Sequence, residues 1–541
     1  MKFAAILPAL MLMTGTVRAQ APAAKPGSIE GVVTNSVTNE PVKKAVVTLE
    51  DTKSHGNNRT ATTDAVGHFQ FDGVNPGAYS LAADRDGYLG SQSSPLVRSA
   101  QVTVADEQHV QDVALKLLPL ATLSGHVLDD DGDPIVRADV SVLTYVYNQG
   151  PKQLNQAASA QSNDLGEFEA LNLPPGRYYI RVMTLLNWNI PPHTRWSHPE
   201  EAYPLVFYPN ASEAAQATAF DVAPGAHVTN IDFRLRKMPA YHIRGIVSDV
   251  TARKLDANDR VMAEISGSNF GAGLSQSSVQ ADGSFELRGL ASGSYVVSHM
   301  RFVPGENAFS THQTVRIADS DVNGVSLVQK PLVNVSGTVT VEGSQPGKLD
   351  LQISLSQPNV RGGDHIGADG KFTITDVPPE LCHLQVFNVP PGKYVKSIRF
   401  GDQEVKNSEI DLSSGASGAL NILLGADGGE VDGMVENASG QPAGGVQVTL
   451  APAEEYDGRD DLLKRMSTDA AGNFKIPDVA PGEYKVFAWE SDPQDSTQSA
   501  EFRKPFESRS VAVTIGPKDK ASVQLNVITA EDMEKERSKL P

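Results

Sequence analysis

The chain has 541 residues, 40% of them hydrophobic and only 6% aromatic, with 46 glycines, 34 prolines and a formal charge of −19. The length exceeds what one compact core serves and calls for roughly three to five domains; the apolar fraction excludes wholesale disorder. No block of lysine and arginine stands out, which excludes the basic stripe a nucleic-acid partner needs to displace counterions and disfavours an anionic membrane surface.

The chain opens with Lys2, then the apolar run FAAILPALMLM, then Val17-Arg18-Ala19. A positive start, a short apolar stretch and a small residue predict a secretory signal peptide over 1–19, cleaved after Ala19. The run is too short to span a membrane, and no other stretch is apolar enough to do so. The expected mature protein is therefore exported, periplasmic or extracellular, with no membrane span. No cysteine follows the cleavage site to carry a lipid, and the only one in the chain, Cys382, leaves no disulfide to form.

After the leader, a strand-like segment IEGVV carries Gly31, and a second, AVVTL, follows. A turn, DAVG, then leads to Phe69, an apolar Val74, Pro76 and Tyr79. The same order recurs. The glycines are Gly31, Gly125, Gly245, Gly337 and Gly433; the phenylalanines are Phe69, Phe168, Phe285, Phe372 and Phe474. Seven positions past each phenylalanine lie Pro76, Pro175, Ser292, Pro379 and Pro481, and three further on Tyr79, Tyr178, Tyr295, Cys382 and Tyr484. Spacing without a slip marks internal repetition.

The residues explain the spacing. Tyr178, Ile180 and Val182 alternate with Arg177, Tyr179 and Arg181, and Tyr484, Val486 and Ala488 with Glu483 and Lys485. This period of two predicts strands with one buried face, the second set in each pair pointing outward. Pro-Gly supplies a fixed φ and then a position tolerant of positive φ, so the chain can reverse. The ADG turns at Ala281–Gly283 and Ala368–Gly370 predict hairpins. Each unit closes on segments such as QVTVADEQHVQDVALKL, expected to be two paired strands. A glycine inside an alternating strand predicts a bulge or a close backbone approach.

The order Gly-x-Val, GDP or GQP, Ala-x-Val-x-Val, Gly-x-Phe and then PPGRYYI or APGEYKV resembles the carboxypeptidase regulatory-like domain. The resemblance runs over nearly the whole mature chain. Repeat three lacks the proline before its second strand; in repeat four Glu380 replaces the glycine and Cys382 the tyrosine. It implies a transthyretin-like (prealbumin-like) fold, grouped with starch-binding-like folds, in which the motif residues are structural. The expectation is an all-β chain, a tandem array of about five seven-stranded prealbumin-like sandwiches. Its boundaries are 27–119, 120–238 with an aromatic insertion at 187–210, 239–331, a degenerate 332–427, and 428–530, with a polar tail at 531–541. The units are expected as beads in a row with joints near Pro119, Pro239, Pro331 and Gly425, and the tail as a frayed end with a short helix at Glu531–Ser538.

No catalytic constellation emerges, and no cofactor is expected. His198 to Glu201 has zinc-like spacing, but Pro199 interrupts it and a zinc site needs a distant third ligand. The catalytic domain of a metallocarboxypeptidase has no room in the chain. There is no Gly-x-Ser-x-Gly elbow, Walker loop or dinucleotide fingerprint, and Cys382 occupies a core position. DDDGDP at Asp129–Pro134 groups oxygen ligands but lacks the spacing of a calcium loop, so a solvated turn, binding calcium weakly at most, is expected.

The distinctive segment is the insertion NWNIPPHTRWSHPEEAYPLVFYPN, with Trp188, Trp196, Tyr203, Phe207 and Tyr208. Flat aromatics among polar groups on a loop can stack on a sugar face. Trp188, Trp196, Tyr203 and Tyr208 are therefore the candidate ligand-binding residues; the competing expectation is that the loop packs on its own domain or the next. The expected function is non-catalytic binding, of a glycan or another cell-envelope component, with avidity from repetition. The rivals are a structural spacer or protein-interaction array and an accessory of a metallocarboxypeptidase system.

Overall fold

A computed structural model of the chain describes residues 25–52, 58–90, 99–147, 152–184, 201–249, 254–256, 258–265, 275–301, 309–343, 349–357, 360–367 and 369–537. The chain forms two compact units, 1–119 and 120–541.

The first unit holds β1 (Gly27–Asn35), β2 (Val46–Asp51), β3 (Arg59–Thr62), β4 (His68–Val74), β5 (Gly77–Asp84), β6 (Tyr88–Leu89), β7 (Ala100–Val104) and β8 (His109–Pro119). They build two sheets, ordered β4-β1-β8-β6 and β3-β2-β5-β7. Ile29, Val33, Phe69 and Leu115 from one sheet close on Val47, Leu49 and Leu81 from the other. β1 runs antiparallel to β4 and parallel to β8.

The second unit repeats this plan four times, each copy with its own core. The third and fifth sandwiches have seven strands; the fourth adds Tyr394–Phe400 and Gln403–Glu404 outside its last strand. In every copy the first strand pairs in parallel with the last.

This topology corrects two expectations. The two closing segments do not pair: β7 joins β5 in one sheet, whereas β8 crosses to β1 in the other. The ADG turns are not hairpins either. At 280–284 the turn closes locally, Gln280 N–H to Ser284 O at 2.9 Å, but its flanking strands enter opposite sheets. The reason is the pairing between phenylalanine and glycine. Phe69 lies opposite Gly31 in register, and the same holds for Phe168 and Gly125, Phe285 and Gly245, Phe372 and Gly337, and Phe474 and Gly433. A Cβ on Gly31 would fall 2.0 Å from the Val113 carbonyl oxygen on β8 and 2.8 Å from the Phe69 ring. The glycine thus admits both the parallel partner's backbone and the ring above it.

Four residues past each phenylalanine the backbone turns left-handed: Gly73, Asn172, Gly289, Asp376 and Asp478 have φ between 57° and 71°. These residue types tolerate that region best, and the pairing with the first strand shifts register in each copy near this point. The kink aims the chain across to the opposite sheet. There each tyrosine hydroxyl donates to the carbonyl four residues back: Tyr79 to Asn75 at 2.8 Å, Tyr178 to Pro174 at 2.7 Å, Tyr295 to Ala291 at 2.7 Å and Tyr484 to Ala480 at 2.9 Å. In the fourth copy the Cys382 thiol lies 3.9 Å from the Pro378 oxygen, a far weaker tie.

The beads-in-a-row expectation fails for 120–541. Tyr147, at the end of the second sandwich's Ala138–Tyr147 strand, is buried in a cluster with Phe487, Trp489, Phe502 and Phe506 of the fifth. The Lys152 amide donates to the Glu501 carboxylate at 2.9 Å. The polar tail is also docked. Helix Ala530–Arg537 buries Met533 in the same cluster, and Arg509 pairs with Asp532, whose carboxyl that pairing and the Thr529 hydroxyl hold down at about 2. The end is tied because residues on its inner side are apolar where a frayed end would be polar throughout.

A candidate binding cleft between the second and third sandwiches

Strand Gly176–Thr184 does not leave its outer face to water. Tyr179, Arg181 and Met183 are buried along with Tyr178, Ile180 and Val182. The segment after residue 200 folds over that face, so that Leu143, Tyr179 and Phe207 form a small second core with Leu154, Leu205 and Ala214. Arg181 gives a hydrogen bond to the Ser141 hydroxyl at 2.9 Å, and burial lowers its pKa to about 10 against the pull of Asp139.

The two predicted residues that the structure describes, Tyr203 and Tyr208, have different environments. Tyr208 packs inward, its ring 5.0 Å from Phe220 and 5.6 Å from Phe233. Tyr203 is half-buried, with the Lys237 ammonium 5.9 Å from its ring centroid. Trp188 and Trp196 lie outside the described residues, as does His198.

Tyr203 borders a cleft of about 1430 Å³ between the second and third sandwiches. From the second come Tyr145, Lys152, Phe207 and Glu213; from the third, the turn 289–295 and Arg316. The Lys152 ammonium sits 5.3 Å from the Tyr145 ring centroid. Burial raises the Tyr203 phenol pKa, and Asp129, Asp130 and Glu201 push it the same way. The walls therefore combine aromatic faces, two cations, carboxylates and small hydroxyls, a set suited to a neutral polar ligand with flat apolar faces. The signal in the sequence was the strand ADVSVLTYVY, apolar at Leu143, Tyr145 and Tyr147 as well as on its core face.

The acidic turn has a local task. Asp129 accepts from the amides of Asp131 at 3.1 Å and Asp133 at 2.8 Å. Asn35 and Asn437 cap the equivalent turns of the first and fifth sandwiches in the same way. Among the described residues, no three His, Cys, Asp or Glu side chains are grouped to hold a metal ion. A buried hydroxyl unnoticed in the sequence serves the same three sandwiches. Thr63, Ser162 and Thr468 each accept from the amide that opens the second strand region (Ala45, Ala138, Val446) and donate to a nearby carbonyl.

Residues 28–116 and 430–526 match the model of the carboxypeptidase regulatory-like domain. The two matched stretches fall in the first and fifth sandwiches, which are similar to that domain. Neither matched stretch contributes a residue to the cleft. No curated protein matches the chain. Among solved structures, the Bacillus anthracis TIE protein is 16% identical with a TM-score of 0.18, over 57% of this chain. The chain spans about half of that protein, 51%. A streptococcal ancillary pilin is 12% identical over 56% of this chain and 99% of its own, with a TM-score of 0.20. The major pilin subunit of Bacillus cereus is 10% identical over 93% and 99%, with a TM-score of 0.15. Scores this low have no consequence for the function of this chain. Among the described residues no helix is long and apolar enough to cross a membrane.

Proposed function

We propose that this chain is an exported, non-catalytic binding scaffold that takes a carbohydrate chain of the cell envelope in the cleft between its second and third sandwiches. The observation that carries the reading is the cleft itself: about 1430 Å³, with Tyr145, Tyr203 and Phe207 on one wall and a polar turn on the other. That volume exceeds the ~300–1,000 Å³ usual for a small-molecule pocket and suits several linked units of a polymer. Rings with a polar edge can lie on the apolar face of a sugar while serines, asparagine and carboxylates meet its hydroxyls. Export rests on the leader-like residues 1–19.

The test is a glycan array probed with the chain lacking residues 1–19, alongside Tyr203→Ala and the double variant Trp188→Ala, Trp196→Ala. Retention of one glycan class by the parent chain and its loss in Tyr203→Ala is the expected result. Absence of any retained glycan would refute the reading in favour of a structural spacer.

A further inference from the structure

The turn that follows the phenylalanine of each repeat faces the preceding sandwich wherever two sandwiches of 120–541 meet in sequence. In the fifth sandwich Asp478 of this turn accepts from the Gly392 amide of the fourth at 2.9 Å. In the fourth, Glu380 of the turn lies 3.8 Å from the His312 ring nitrogen of the third. In the third, residues 289–295 of the turn form a wall of the cleft toward the second sandwich. Two of these joints are bridged by a polar contact; the third encloses the cleft.

The repeat also departs from its own pattern at that joint. Four copies place proline at this position of the turn, Pro76, Pro175, Pro379 and Pro481, and the third places Ser292. Proline has no N–H and fixes φ; serine restores an amide donor and adds a hydroxyl that both donates and accepts. Ser292 and Ser294 are exposed, although the turn around them is anchored by Tyr295, whose hydroxyl holds the Ala291 carbonyl at 2.7 Å. The scaffold needs no serine here, since four copies turn the corner with proline. The exchange places hydrogen-bonding groups on a rigid wall opposite Tyr203 and Tyr145.

From this we infer that Ser292 and Ser294 are the specificity-determining wall of the cleft, meeting the hydroxyls of a neutral oligosaccharide whose apolar face lies toward the tyrosines. The inference rests on the carbohydrate reading and deepens it. Two hydrogen-bonding groups, the Ser292 amide and hydroxyl, are lost in Ser292→Pro. Binding should weaken by roughly tenfold or more.

The experiment is calorimetric titration of the chain lacking residues 1–19 with maltohexaose, cellohexaose and chitohexaose, for the parent, Ser292→Pro and Ser294→Ala. Ser292→Pro installs the residue that four sibling turns already carry, so its thermal unfolding should match the parent. Ser294→Ala provides a second variant should the proline distort the turn. Binding of one hexasaccharide by the parent, weakened about tenfold in a variant whose unfolding is unchanged, is the supporting result. Equal affinity in all three proteins would overturn this inference and leave the carbohydrate reading standing. Failure of the parent to bind any of the three would overturn both.

Discussion

The ring of Tyr147 in the second sandwich lies 5.3 Å from that of Phe502 in the fifth, inclined at 62°. Behind Phe502, Trp489 stacks on Phe487 at 5.3 Å and meets Phe506 edge-on at 5.2 Å. The Trp489 indole N–H is buried without a hydrogen-bond acceptor among the described residues. Two sandwiches some 350 residues apart in sequence are joined through aromatic packing, as the Lys152–Glu501 separation of 349 also records.

Phe502→Ala should remove a buried aromatic side chain and destabilise the fifth sandwich by about 3 kcal/mol. It should also release the second sandwich. Trp489 is the sole tryptophan in the cluster, so its emission should shift red, and small-angle scattering of 120–541 should show a larger radius of gyration. An unchanged scattering curve would mean that the contact with Tyr147 does not hold the two sandwiches together.

Gly433→Ala tests the glycine opposite phenylalanine. Its Cβ would stand 2.0 Å from the Val523 carbonyl oxygen and 3.0 Å from the Phe474 ring. Neither can yield cheaply, because one is backbone in the parallel pair and the other fills the core. A loss of about 3 kcal/mol is expected, read as faster hydrogen exchange across strands Gly429–Glu436 and Lys520–Asn526. Gly440→Ala is the control, since nothing lies within 4 Å of its added carbon; with φ at 71° it should cost only about 1 kcal/mol.

Alkaline pH should weaken the third sandwich through Tyr295. Burial pushes its phenol up to about 12, from 10 in the open chain. The folded state therefore holds the proton more tightly than the unfolded state. The resulting stability is complete below pH 10 and lost as pH rises through 12, amounting to roughly 2–3 kcal/mol. Hydrogen exchange of Gly293–Arg301 amides, corrected for the intrinsic rate, should show this loss in the parent and its absence in Tyr295→Phe. The variant should itself cost about 1 kcal/mol for the missing hydrogen bond to Ala291.

Asp129→Asn should be neutral within about 0.5 kcal/mol, because asparagine at 35 and 437 caps the same turn. Asp129→Ala should cost about 1 kcal/mol. Thermal unfolding with and without millimolar calcium separates this role from cation binding. A calcium-dependent rise in Tm that Asp129→Asn abolishes would show that the carboxylate serves a cation instead of the turn.

The repeat, its period and its all-β character were legible in the sequence, because each follows from local chemistry. A glycine opposite a phenylalanine, a tyrosine whose hydroxyl reaches the carbonyl four residues back, and Asp or Asn at a tight turn act over a few residues or one strand pairing. Any chain with that spacing meets the same constraints in each copy. Which sheet each strand joins was not local. β7 and β8 read as a hairpin because both alternate, and alternation is silent about partners; the parallel pairing of β8 with β1 is set by the whole core.

Contacts among the sandwiches were decided by tertiary structure alone. Alternation in strands 138–147, 176–184 and 482–489 places one face in a sandwich core, and the natural reading sends the other to water. Leu143, Tyr145, Tyr147, Tyr179, Phe487 and Trp489 on that other face announced that something covers it, but a sequence cannot say what. Folding brings residues 201–219 over Tyr179 and the segment 493–509 against Tyr147, and it leaves a cleft where Ser292 stands in place of proline. The physical reason is that burial of an apolar face is non-directional: it fixes that a surface must be covered and leaves the partner to the geometry of the assembled chain.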